Sequence, residues 1–99
     1  MTINVERDFE LVTLEITGRI DTTTAPNLDS VINELSEDAK ELVIDMSGVE
    51  YISSAGIGVL LDAYKKTNTN QSTMRILRAN DVVCDVFEMS GLDYMLYGE

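Results

Sequence analysis

The sequence contains no histidine and only one cysteine, Cys84. Without histidine a Ser-His-Asp catalytic arrangement is impossible. Without a Cys/His cluster the usual zinc ligands are missing. A lone cysteine cannot close an internal disulfide, which agrees with a reducing compartment. Basic residues are also scarce: 7 Lys and Arg stand against 18 Asp and Glu, a net charge of −11. Nucleic-acid binding needs cations to neutralise phosphates, so this composition argues against it. Binding to anionic membranes is disfavoured for the same reason. No long apolar run is present, so no membrane insertion is expected. The start, Met1-Thr2-Ile3-Asn4-Val5-Glu6, lacks the basic and apolar regions of a signal peptide, and a cytoplasmic location is expected. There is no Gly-x-x-x-x-Gly-Lys-Ser/Thr segment to cradle a nucleotide, and the carboxylates do not repeat at calcium-loop spacing.

The chain that remains after these exclusions is 44% apolar and 25% charged, the composition of a folded protein. Its length suits one small domain over residues 1–99. The excess acidity has two readings: it keeps a small protein soluble, or it meets a protein partner with a basic face.

Ile3 and Val5, then Val12, Leu14 and Ile16, alternate with polar residues, the period-2 pattern of strands buried on one face. Glu6 to Glu10 is short enough to turn a hairpin. Gly18 to Thr24 breaks the alternation. Thr24 is the expected N-cap of a helix with Pro26 in its first turn, an apolar stripe of Leu28, Val31, Ile32 and Leu35, and an end near Glu37 to Lys40.

Leu42 to Met46 is nearly continuously apolar and reads as a central strand. A small-residue turn follows, and then a helix with the stripe Ile57, Leu60, Leu61 and Tyr64. Asp45 and Ser47 are expected to tie down that turn through side-chain to backbone bonds. Thr67 to Ser72 reads as a polar loop, and Met74 to Ala79 as a further strand. Asn80 or Asp81 can cap a third helix carrying Val82, Val83, Val86 and Phe87 on one face, with Ser90-Gly91 ending it. Leu92 to Leu96 forms a last short helix or strand. Met89, Tyr94, Met95 and Tyr97 read as packing residues, and Cys84 as an inert, partly buried thiol. The resulting order is strand, strand, helix, strand, helix, strand, helix. It specifies an α/β domain in which N-terminal strands are followed by alternating helices and strands, with helices packed on one mixed sheet.

Ser54 falls where the turn after the central strand becomes a helix. A helix start offers free N–H groups and a partial positive charge, and so accepts a phosphate, including one attached to a serine there. On local pattern alone the N-cap hydroxyl is the favoured reading of Ser54, and Ser53 reads as a turn or capping residue. Asp21 satisfies the turn before the first helix, or it orients the Ser54 hydroxyl or contacts a partner. Gly56 and Gly58 suggest close approach of the helix to the sheet or to a partner. No base accompanies Ser54, and Lys65 and Lys66 lie too far along the helix for Ser–Lys chemistry, so the chain is not expected to be an enzyme or to need a cofactor.

The stretch Asp45-x-Ser47-x-Val49-x-x-Ile52-Ser53-Ser54-Ala55-Gly56-Ile57-Gly58-x-Leu60-Leu61 resembles the signature of STAS domains, most of all the stand-alone anti-sigma factor antagonists. Gly18-Arg19-Ile20-Asp21-Thr22-Thr23-Thr24-Ala25 and Val86-Phe87-x-Met89-Ser90-Gly91-Leu92 resemble two further stretches of that family, in the same order. The resemblance implies a phosphorylation switch. An unmodified antagonist binds an anti-sigma factor with serine kinase activity and so releases a sigma factor; phosphorylation ends the interaction, and a phosphatase restores it. The matching serine is Ser54, and the family's acidic residue matches Asp21. Many members have Asp where this chain has Ser53, which makes Ser53 the fallback site, and Ser or Thr where it has Ala55. The partner surface implied comprises Asp21, Thr22, Thr23 and Thr24 with Ser53, Ser54, Ala55, Gly56, Ile57 and Gly58. Two other readings stay open: a STAS adaptor subunit of a transporter or stress-signalling assembly that is never phosphorylated, and a sensor of a nucleotide or lipid in a sheet–helix crevice.

Overall fold

A computed structural model describes residues 1–36 and 39–97. Two antiparallel strands, β1 (Thr2–Asp8) and β2 (Leu11–Ile20), form a hairpin, and helix α1 (Ala25–Ser36) leads to β3 (Glu41–Ile52). Helix α2 (Ser54–Thr69), β4 (Thr73–Leu77) and α3 (Asp81–Met89) follow, and a short 3-10 helix spans Asp93–Tyr97. The sheet order is β1-β2-β3-β4, with β2, β3 and β4 parallel, so the expected mixed sheet and alternating order are present. Among the described residues no helix is long and apolar enough to cross a membrane.

One face of the sheet supplies the core. Val12 and Leu14 of β2 pair with Leu42 and Ile44 of β3, which pair in turn with Met74 and Ile76 of β4; all are buried, as are Ile16 and Met46 beyond them. Leu28 and Ile32 of α1, Ile57 and Leu60 of α2, and Val83 and Phe87 of α3 close over them. These are the apolar positions at helical spacing, so the periodicity located the core. Fully burying each such side chain contributes about 1.5–3 kcal/mol.

Several local expectations are corrected. β1 is an edge strand, and its alternation buries little: Val5 is 45% exposed. β2 does not stop at Gly18 but runs to Ile20, because Gly18 adopts φ +96° at a point where the register to β3 shifts. β3 likewise continues past Met46 to Ile52. Asp45 and Ser47 therefore stabilise an irregularity inside a strand rather than a turn, with the Ser47 N–H donating to Asp45 Oδ1 at 3.0 Å. The extra residues this adds to β3 let Val49 and Ile52 turn back into the core.

Thr67 is not a loop residue; it is buried in α2, where its hydroxyl donates to the Tyr64 carbonyl at 2.8 Å. Val82 and Met89 point outward, 53% and 87% exposed, whereas Met95 is buried. Part of the expected end of α1, Glu37 and Asp38, lies outside the described residues, as does the Tyr97 side chain. Asn80 caps α3, accepting from the Val83 N–H at 2.9 Å.

Candidate functional site

β2 and β3 deliver two short segments to the same end of the sheet. The Ser53 N–H donates to the Ile20 carbonyl at 2.8 Å, so the exits of the two strands are tied together. The first segment, Asp21 to Thr24, is held by its own polar groups. Asp21 Oδ1 accepts from the N–H groups of Thr23 at 3.0 Å and Thr24 at 3.1 Å. Thr24 Oγ1 in turn accepts from the Asp21 N–H at 2.9 Å and donates to the Arg19 carbonyl at 3.0 Å. The Asp21 carboxyl is held below its ordinary pKa chiefly by the Thr24 N–H, with the Thr23 N–H and the nearby Arg19 charge acting in the same direction against partial burial.

One expectation changes here. Thr24 precedes α1 and its carbonyl accepts from Leu28, but its hydroxyl closes the preceding turn instead of capping helix N–H groups. Asp21 serves that turn, and among the bonds of the described residues none joins it to Ser54.

In the second segment the two serines divide the work. Ser53 has extended backbone (φ −93°, ψ 174°), and its Oγ accepts from the Gly56 N–H at 3.5 Å, the N-cap arrangement. Ser54 is therefore the first helical residue rather than the cap. It is exposed, and its hydroxyl makes no hydrogen bond among those of the described residues. The first turn of α2 contains no acidic residue, so nothing of the helix's own offsets its N-terminal partial charge.

The two glycines that follow differ in what surrounds them. A Cβ at Gly56 would lie 2.6 Å from Ile20 Cγ2 and 2.8 Å from Ile52 Cγ1, so this glycine lets the helix approach the sheet. A Cβ at Gly58 would meet nothing within 4 Å. Gly58 is exposed in the helix interior, where glycine is less favourable than alanine by roughly 0.8–1 kcal/mol.

Gly58 faces an open groove of about 530 Å³ between α1 and α2. Thr22, Pro26 and Asp29 line it from the α1 side, and Ala55, Gly58 and Asp62 from α2. The structure thus brings Thr22, Ala55 and Gly58 together on one surface, beside Ser54. It takes Gly56 and Ile57 off that surface: both are buried, and Ile57 is 5% exposed against the core. Pro26, Asp29 and Asp62 are groove residues that sequence reading passed over. Their signal was a polar and small-residue stripe opposite each apolar stripe, but the side-by-side packing of α1 and α2 that joins the stripes is a tertiary fact.

The STAS domain family profile matches residues 2–97. The anti-sigma-B factor antagonist of Listeria monocytogenes is 31% identical over 88 residues, covering 88% of this chain and 77% of the Listeria protein. That of Staphylococcus aureus is 25% identical over 100 residues, covering 98% of this chain and 93% of its own. The crystal structure of an anti-sigma factor antagonist from Mycobacterium paratuberculosis superposes with a TM-score of 0.84 at 28% identity, over 94% of this chain and 80% of the other. The antagonist SpoIIAA in its unphosphorylated form gives a TM-score of 0.85 at 18% identity, over 95% and 84% of the two chains. Its phosphorylated form gives 0.77 at 16% identity, over 95% and 87%. At these identities the likeness to SpoIIAA is one of fold.

Proposed function

The chain belongs to the STAS domain family, and on that premise we propose that it is an anti-sigma factor antagonist switched by phosphate on Ser54. The observation that carries this reading is the division between the two serines. Ser53 takes up the capping bond, while the Ser54 hydroxyl, exposed at the first position of α2, makes no hydrogen bond among the described residues. A kinase reaches such a hydroxyl without dismantling the fold. The same comparison favours Ser54 over Ser53, whose half-buried hydroxyl is engaged with the helix.

In this role the unmodified chain binds an anti-sigma factor with serine kinase activity, and a sigma factor is released. The likeness to antagonists of that name supports the partner class. The chain itself performs no chemistry in this reading. It is the substrate of the kinase and of the phosphatase that reverses the modification, and it acts in the cytoplasm.

Phosphorylation adds about −1.5 to −2 charges and three acceptor oxygens. At a helix start these meet N–H groups and a positive partial charge, so the folded state tolerates them. In a packed interface they must be desolvated, and they add to the negative field of Asp21, Asp29 and Asp62 around the same surface. The penalty therefore falls on binding. A loss of about 3 kcal/mol weakens a complex by roughly two orders of magnitude, which suffices for a switch.

The test is a pair of substitutions measured against the purified anti-sigma factor kinase. Ser54→Asp should keep the wild-type melting temperature, because an acidic residue suits the first turn, and lose binding about 100-fold. Ser54→Ala should bind as wild type. Equal binding by both variants would count against the switch and favour an adaptor that is never modified.

A further inference from the structure

We propose that Gly58 is a specificity-determining residue, and that the groove it floors receives a lysine or arginine side chain of the anti-sigma factor. This rests on the antagonist reading above. The starting observation is the contrast between two glycines of one helix. Gly56 has a reason internal to the fold, since any side chain there collides with Ile20 and Ile52. Gly58 has none: it is helical, its backbone is not left-handed, and a Cβ would enter open space. Folding alone favours alanine at such a position. What glycine provides at residue 58 is depth in a groove that opens outward.

The walls of the groove state the chemistry of its occupant. Ala55 and Gly58 make an apolar floor, Asp29 and Asp62 carry two negative charges, and among the described residues no lysine or arginine lines it. A long aliphatic stem with a cationic head satisfies both features, the stem lying along the floor and the head reaching the carboxylates. A second copy of this chain fits poorly, because two molecules of net charge −11 repel. Ala55, which lines the groove, follows Ser54 in the chain, so an occupant there is held near the hydroxyl the kinase must reach.

The experiment compares wild type, Gly58→Ala and the double variant Asp29→Asn/Asp62→Asn. Each is measured for melting temperature, sedimentation and affinity for the purified anti-sigma factor kinase at low and high salt. Gly58→Ala should raise the melting temperature by about 4 °C or more, yet weaken binding at least 10-fold. As a kinase substrate it should show a raised KM with kcat unchanged. The double Asn variant should weaken binding at least 10-fold at low salt and flatten the salt dependence. Wild-type affinity in a stabilised Gly58→Ala would overturn the groove while leaving the antagonist reading intact, as would an unchanged salt dependence in the double variant. A change of oligomeric state in either variant would assign the groove to a second copy and overturn the proposal. Failure of wild type itself to bind the kinase would remove the antagonist reading, and this inference with it.

Discussion

Replacing Gly56 by alanine should destabilise the domain although it improves the local helix. Alanine relieves the glycine penalty in α2 by about 0.8–1 kcal/mol. Against this, the new methyl would lie 2.6 Å from Ile20 Cγ2 and 2.8 Å from Ile52 Cγ1, where about 3.5–4.0 Å is comfortable. Neither obstacle is the free end of a flexible chain. Both atoms are one bond from a Cβ, and both isoleucines are 0% exposed. Their rotation is restricted by β-branching, and their strands are joined at this end by the Ser53–Ile20 backbone bond. The helix start must therefore lift from the sheet, and overpacking of this kind costs about 1–3 kcal/mol. Since the contact is severe, the upper half of that range applies, and the net loss is about 1–2 kcal/mol. For a domain of this size that lowers the melting temperature by roughly 4–16 °C. Calorimetry of Gly56→Ala beside wild type decides the matter. A melting temperature equal to or above wild type would refute the reasoning, since it would show that the helix does not rest on Ile20 and Ile52 as described.

Further expectations concern the cap of α3 and the acid response. Asn80→Ala removes the acceptor of the Val83 N–H and the donor to the Val49 carbonyl at 3.0 Å, and should cost about 1–2 kcal/mol in urea unfolding. An unchanged urea midpoint would show that the cap is idle. Asp21 and Asp45 both have carboxyl pKa values lowered in the folded state, Asp21 chiefly by the Thr24 N–H and Asp45 chiefly by the Ser47 N–H. A lowered folded value means that the unfolded chain takes up protons first. The stability these groups provide is therefore complete above the ordinary carboxylate pKa near 3.9 and is lost as pH falls through the folded values. Melting temperatures measured from pH 6 to pH 2 should hold level and then drop, with a shallower drop in Asp45→Asn. A steeper drop in that variant would reverse the assignment.

Much of this architecture was legible because its causes are local. The alternation at Val12, Leu14 and Ile16 and the helical spacing of Leu28 and Ile32, or Ile57 and Leu60, follow from which side of an element meets the core. Asn80 as a cap and Ser90-Gly91 as a helix end follow from side-chain and backbone chemistry within a few residues. What escaped the reading has causes elsewhere in the chain. β3 continues through Asp45, Ser47 and Gly48 because β2 lies beside it and absorbs the extra residues as register shifts, which no single segment reveals. Val5 alternates like a core strand yet is exposed, because among the described residues no further strand or helix covers the sheet edge it occupies. In the candidate site, Ser54 was legible from the change of strand into helix. Ser53 was legible as a turn or capping residue and takes the cap, whereas the different surroundings of Gly56 and Gly58 depended on where the sheet and α1 lie.

Whether Ser54 carries the switch is read most simply from intact mass with peptide mapping after incubation with ATP and the anti-sigma factor kinase. Wild type should gain one phosphate, mapped to Ser54, and Ser54→Ala should gain none. Phosphate on both proteins would move the site, with Ser53 the first to examine. Its absence from both, with the kinase shown to be active in the same reaction, would contradict a phosphorylation switch in this chain.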